Sequence, residues 1–227
     1  MADSFDSGRR SALGATLALA AATPLPAGAQ WRRRAEERAP VPNSDDERRV
    51  LQVLDDVYRN HRYLSVPDED GRLLRVLAEA IGAKHVVEIG TSTGYSGLWM
   101  LLALMKTGGR LTTFEIDSGR HDLARRNFER AGVGKLAASV LGDAHVEVAK
   151  IKDPIDLLFL DADKEGYADY LQELRALVRP GGLVVAHNMQ SPAPDPRYIE
   201  AITTSPELET LFLNMHEAGV GVTLKKR

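Results

Sequence analysis

The stretch Val86-Val87-Glu88-Ile89-Gly90-Thr91-Ser92-Thr93-Gly94-Tyr95-Ser96, with Glu115 closing the later run Leu111-Thr112-Thr113-Phe114, narrows what this chain can fold into. An apolar run, two glycines and a second apolar run read as a buried strand, a glycine turn opening a helix, and a second strand that ends in a carboxylate. Gly90 permits a sharp turn and a close backbone approach to a ligand, and Gly94 lets the new helix pack tightly. An acid about 20 residues past such a loop stands where a ribose diol would donate to it. The feature predicts an adenosine-containing cofactor.

The rest of the chain extends that unit. Ser44-Asp45-Asp46-Glu47 has the spacing of a capping box ahead of Val50, Leu51, Leu54, Val57 and Tyr58. A second helix is expected to start near Pro67, carry Leu73, Leu74, Leu77 and Ile81 inward, and stop at Gly82. Strands are predicted at 85–89, 110–116, 136–141, 155–161 and 182–187, with helices near 94–106, 118–131, 143–150, 165–178 and 196–203. Such alternation gives βαβ units on a largely parallel α/β sheet. Leu211–Met215 and Val220–Leu224 flank Glu217-Ala218-Gly219, a hairpin signal that sets one terminal strand antiparallel to the others.

Composition removes several classes. A formal net charge of −3 provides no basic field for nucleic acid, and no apolar run is long enough to span a bilayer. The sequence has no cysteine, so disulfides, thiolate metal sites and a cysteine nucleophile are excluded. At the N-terminus, Arg9-Arg10 precede an alanine-rich apolar run and Ala27-Gly28-Ala29, the pattern of a twin-arginine export leader over residues 1–29. The competing reading is an extension that is never processed. A mixed-charge linker at 30–43 and a single domain at 44–227 complete the expected organisation. Export toward the periplasm would separate the chain from a cofactor made in the cytoplasm, so the localisation readings conflict.

In an open α/β sheet the ligand lies beyond the carboxyl ends of the strands. The predicted strands end in Glu88-Ile89-Gly90, Glu115, Gly142-Asp143-Ala144, Asp161-Ala162-Asp163-Lys164 and His187-Asn188, so polar groups collect at one edge. A nicotinamide enzyme would more typically show G-x-G-x-x-G, whereas here the pattern is Glu88-x-Gly90-x-x-x-Gly94. Glu88 is placed to meet an ammonium, and Ser96 with the first-turn amides to hold a carboxylate. A ligand with adenosine at one end and an amino acid at the other fits, which predicts S-adenosylmethionine.

At this point the sequence resembles the small metal-dependent O-methyltransferases, which include the catechol and caffeoyl-CoA enzymes and their bacterial relatives. The motifs that carry the resemblance are Val86 to Ser96, Phe114-Glu115-Ile116-Asp117, Gly142-Asp143-Ala144, Phe159 to Lys164, and Tyr167. It implies the class I methyltransferase fold, a Rossmann-like sheet of seven strands, mostly parallel, with helices on both faces. By position, Glu88, Gly90, Thr91 and Ser96 would line the methionine end of the cofactor. Glu115 would hold the ribose, Asp143 and Ala144 would border the adenine, and Val66 would contact the cofactor by its backbone. Asp161 would adjoin the cofactor and be the first metal ligand, with Asn188 another. Lys164 would sit beside the acceptor hydroxyl as base or electrostatic helper. The resemblance also makes a homodimer plausible and implies a small hydroxylated acceptor, catechol-like or phenolic.

One residue departs from the pattern. The family normally has aspartate before Asn188, and here it is His187. His187 could ligate through imidazole, favouring Mn, Fe, Co or Zn over Mg. It could instead replace the metal and take the acceptor's proton. Or the site could be degenerate, leaving a non-catalytic exported protein that only binds its ligand. The favoured mechanism is methyl transfer to oxygen assisted by a divalent metal at Asp161, His187 and Asn188, with Lys164, His187 and Asp161 as catalytic residues. Segment 60–66 and the loop from Ser191 to Tyr198 would form the lid. Taken singly, Asp161 and Asp163 are ordinary helix caps and Lys164 an ordinary surface lysine. His61, His121, His145 and His216 read as surface or packing residues, and Trp99 and Met100 as core. An NAD-type oxidoreductase is the remaining alternative.

Overall fold

The computed structural model describes residues 38–61 and 63–227; the expected leader and most of the linker lie outside them. From Pro40 onward the chain forms one compact unit. Helix α1 (Asp45–Asn60) begins as the sequence predicts, with the Ser44 hydroxyl accepting from the Glu47 amide at 3.1 Å. The reciprocal arm differs: the Glu47 carboxylate takes the amide of Asn43, not that of Ser44. Helix α2 (Asp68–Ala80) follows, opened by Pro67. The alternating region then runs β1 (His85–Ile89), α3 (Tyr95–Thr107), β2 (Arg110–Glu115), α4 (Ser118–Arg130), β3 (Ala137–Leu141), α5 (Ala144–Glu147), β4 (Ile155–Leu160), α6 (Tyr167–Leu174), β5 (Val178–His187), α7 (Pro196–Thr204), β6 (Leu208–Leu213) and β7 (Val220–Lys225).

Seven strands make one sheet in the order β3-β2-β1-β4-β5-β7-β6. The first five are parallel, and β7 pairs antiparallel with both β5 and β6, as the hairpin signal requires. Two-residue alternation divides each central strand between two cores. Val86, Leu157 and Phe159 pack with α1, α2, α3 and α4 on one face. Val87, Ile89, Leu158 and Leu160 pack with α6 and α7 on the other. Helix α3 is buried along ten of its thirteen residues, Trp99 and Met100 included, so those two are core as expected.

The largest boundary shifts are in β5 and α6. Strand β5 starts at Val178, earlier than the predicted 182, and runs through Pro180-Gly181-Gly182; its register on β4 shifts between Ile155 and Leu157. Helix α6 is shorter than predicted because Lys164–Gly166 form a 3-10 turn before Tyr167. Strand order reverses between β1 and β4, and the crevice beyond their carboxyl ends is where such a fold places its ligand. Among the described residues no helix is long and apolar enough to cross a membrane.

Candidate active site

The turn after β1 shapes the crevice. Gly90 has φ 99°, and a Cβ there would stand 2.8 Å from the Asp161 carbonyl carbon, so only glycine lets the loop lie against the end of β4. Gly94, at φ 85°, abuts Phe128 and starts α3. Beyond these turns lies a cavity of about 730 Å3, a size suited to a small ligand. Gly90, Glu115, Asp143, Ala144, Asp161, Lys164, His187 and Asn188 all line it, which brings most of the predicted residues into one place.

Val66, Glu88, Thr91 and Ser96 do not form its wall. For Glu88 the cause is the alternation of β1, which turns its side chain with Val86 toward α3. There it is wholly buried, accepting from Ser96 Oγ and, at 2.6 Å, from Thr113 Oγ1. The expected contact between Glu88 and a ligand ammonium is therefore not what this packing provides. Burial pushes its carboxyl up to about 8, against the two hydroxyl hydrogen bonds that favour the charged form. Ser96 spends its hydroxyl proton on Glu88.

Glu115 ends β2 almost buried and is held from several sides. Its Oε2 accepts from the Ser92 amide at 2.8 Å; its Oε1 accepts from the Asp117 amide at 2.9 Å and from Arg120 Nη2 at 2.9 Å. Arg120 also lies over the Tyr63 ring, 5.6 Å from its centre. On the next strands, Asp143 caps α5 by accepting from the His145 amide. His145, read from sequence as a surface or packing residue without a partner, stacks on Tyr170 with centres 4.4 Å apart and meets Asp163 at 3.2 Å. His216 likewise has a partner in Glu69, at 2.9 Å.

The opposite end holds a charged cluster. Lys164 Nζ donates to Asp161 Oδ1 at 2.9 Å and to the Tyr167 hydroxyl at 2.8 Å. His187 closes β5, nearly buried, with Nδ1 3.3 Å from Asp161 Oδ1 and Nε2 3.1 Å from Asp70 Oδ2. Burial alone would lower the imidazole's pKa, but the hydrogen bonds to Asp161 and Asp70 and their negative charges outweigh it and raise it to about 9. Asp70 is the site residue that sequence reasoning missed. It lies in the first turn of α2 on the buried stripe of Leu74, four residues on, and that spacing was the available signal.

The three expected metal ligands, Asp161, His187 and Asn188, all line the cavity. Both His187 ring nitrogens face carboxylates, Asp161 Oδ1 is shared with Lys164, and the Asn188 amide donates to Ser191 O at 2.8 Å. Among the described residues no three His, Asp or Glu side chains are grouped as ligands. Asp161 Oδ2 and Asn188 Oδ1 accept no hydrogen bond among the described contacts and would be the oxygens open to a divalent ion, whereas both His187 nitrogens are engaged by carboxylates.

Comparison with known proteins places the chain. A family model described as O-methyltransferase matches residues 42–191. A catechol O-methyltransferase of Niastella koreensis is 38% identical over 130 residues, covering 56% of this chain and 58% of the relative. The chain thus spans a little over half the length of the curated relatives it matches. The crystal structure of the O-methyltransferase from Bacillus cereus in complex with SAH is 27% identical, with a TM-score of 0.67 over 82% of this chain and 93% of that one. O-methyltransferase TomG from Streptomyces achromogenes, solved in complex with SAM, shares the fold at 24% identity and a TM-score of 0.69, over 82% and 92% of the two chains. With the seven-stranded sheet, the glycine turn and the acid-ended second strand, these matches show that the chain belongs to the O-methyltransferase family.

Proposed function

We propose that this chain transfers the methyl group of S-adenosylmethionine to a hydroxyl oxygen of a small catechol-like or phenolic acceptor. The observation that carries the reading is one cavity lined by Gly90, Glu115 and Asp143 at one part and by Asp161, Lys164 and His187 at another. Gly90, Glu115, Asp143 and Ala144 are the residues we assign to the cofactor. Glu115 Oε2 accepts only the Ser92 amide among the described contacts, which leaves lone-pair capacity for a ribose hydroxyl. The likeness to a protein named catechol O-methyltransferase, and separately to an O-methyltransferase solved in complex with SAH, supports the choice of cofactor and acceptor class.

In the reaction, the bond from sulfur to the methyl carbon breaks and the bond from the acceptor oxygen to that carbon forms, while sulfur keeps the electron pair as a thioether. Holding the two partners in line supplies much of the rate by orientation. Lys164 Nζ and the His187 ring stand at the acceptor end of the cavity, placed to hold the developing oxyanion. The hydroxyl proton passes into the Lys164–Asp161–His187 cluster, whose members are joined through Asp161 Oδ1. Incubation of purified protein with methyl-labelled S-adenosylmethionine and a panel of catechols and phenols tests the proposal. Labelled methyl ether is expected. Cofactor binding without transfer to any acceptor would overturn it in favour of a protein that only binds.

A further inference from the structure

Arg120 stands where a helix start disfavours it. It lies in the first turn of α4, and a cation there opposes the helix dipole. Its side chain is 29% exposed, and it borders the cavity beside Glu115. Nε at 3.1 Å and Nη2 at 2.9 Å both donate to Glu115 Oε1, which also accepts the Asp117 amide. A carboxylate oxygen offers about two lone-pair sites, so Oε1 is filled. Oε2, which accepts the Ser92 amide alone among the described contacts, is the oxygen with capacity left.

The same guanidinium closes a ring of contacts. Its carbon lies 5.6 Å from the centre of the Tyr63 ring, within cation–π reach. The Tyr63 carbonyl accepts from Ser92 Oγ, and the Ser92 amide returns to Glu115 Oε2. Ser92 has a left-handed backbone, φ 47°, a conformation that a residue other than glycine keeps where its surroundings hold it. Arg120, Glu115, Ser92 and Tyr63 therefore tie the start of α4, the end of β2, the glycine turn and the segment before α2 to one another at the cavity's edge.

We infer that Arg120 is a positioning residue for the cofactor's sugar: its two-pronged grip on Glu115 Oε1 fixes the carboxylate so that Oε2 meets a ribose hydroxyl. The inference deepens the methyl-transfer reading and rests on it for the identity of the ligand. The last torsion of a glutamate side chain is broad, so an ungripped carboxylate must be ordered when the ligand binds. Arg120 supplies that order beforehand, and its effect is specific to the hydroxyls of the sugar.

Calorimetric titration of the intact chain with S-adenosylhomocysteine and with its 2′,3′-dideoxyribose analogue tests the inference. The unmodified protein is expected to prefer the hydroxylated ligand about 10–100-fold. Arg120→Leu, with native circular dichroism, is expected to cut that preference about tenfold. Arg120→Lys keeps the charge without the planar fork and is expected to lose part of the preference; as the milder change, it carries the same comparison should Arg120→Leu not fold. In a Glu115→Ala background, Arg120→Leu is expected to alter neither affinity, because the carboxylate through which it acts is gone. A folded Arg120→Leu chain that binds both ligands more weakly with its preference intact would overturn the inference, since a merely structural role has that signature. Full preference in Arg120→Lys would also overturn it. Binding of neither ligand by the unmodified protein would overturn the cofactor reading itself and this inference with it, an outcome distinct from failure in the variants alone.

Discussion

Replacing Glu88 by glutamine should make the protein more stable in mild alkali, the reverse of what is expected for a carboxylate that binds a cation. Glu88 is fully buried beneath α3, and its carboxyl is raised from 4.5 to about 8, chiefly by burial. In the unfolded chain the same group ionises near its ordinary value. The folded state therefore binds the extra proton between those limits, so stability is fully present below pH 4.5 and is lost as pH rises through about 8. At about 1.36 kcal/mol per pH unit, the ceiling on that loss is about 5 kcal/mol. Glutamine has the shape of the protonated acid, and the Ser96 and Thr113 hydroxyls can turn to serve it. In urea unfolding, Glu88→Gln should match the wild type within about 1 kcal/mol near pH 5 and exceed it by about 2–4 kcal/mol near pH 8. Affinity for S-adenosylhomocysteine should be unchanged, because the side chain does not reach the cavity. Equal destabilisation at both pH values, or loss of cofactor affinity, would refute the reasoning and return Glu88 to the ammonium-binding role that its sequence position suggests.

Gly90→Ala combines a left-handed backbone position with a Cβ against the Asp161 backbone, so it should cost about 2–5 kcal/mol in the same assay. It should also weaken S-adenosylhomocysteine binding, since the loop must retreat from its seat. For the N-terminal segment, mass spectrometry of protein recovered from its native cells should find a new terminus near Gln30 if the twin-arginine reading holds. An intact N-terminus would remove the export reading and its conflict with a cytoplasmic cofactor.

Much of the fold was legible because burial and period agree. Strand β1 is buried on both faces and its boundaries match the prediction residue for residue, while the hairpin announced the antiparallel β7. Strand β5 was read short because Pro180-Gly181-Gly182 has turn composition, although the strand carries it as an irregularity beside β4. The cavity residues Gly90, Glu115, Asp143, Asp161, Lys164 and His187 were legible because parallel strands deliver their carboxyl ends to one edge. Motif spacing assigned Glu88 to the ligand, whereas the two-residue alternation of the strand turns its side chain inward, off the cavity wall. Asp70 was missed because an acid in a first helical turn normally serves the helix dipole. Its partner is 117 residues away in sequence, a distance over which local patterns carry no information.

Calorimetric titration of the purified protein with S-adenosylhomocysteine tests the central claim most directly. One site per chain is expected, weakened about 10–100-fold in Glu115→Ala through the loss of a charge-assisted hydrogen bond to the ribose. No binding of S-adenosylhomocysteine, or binding of NADH in its place, would contradict it.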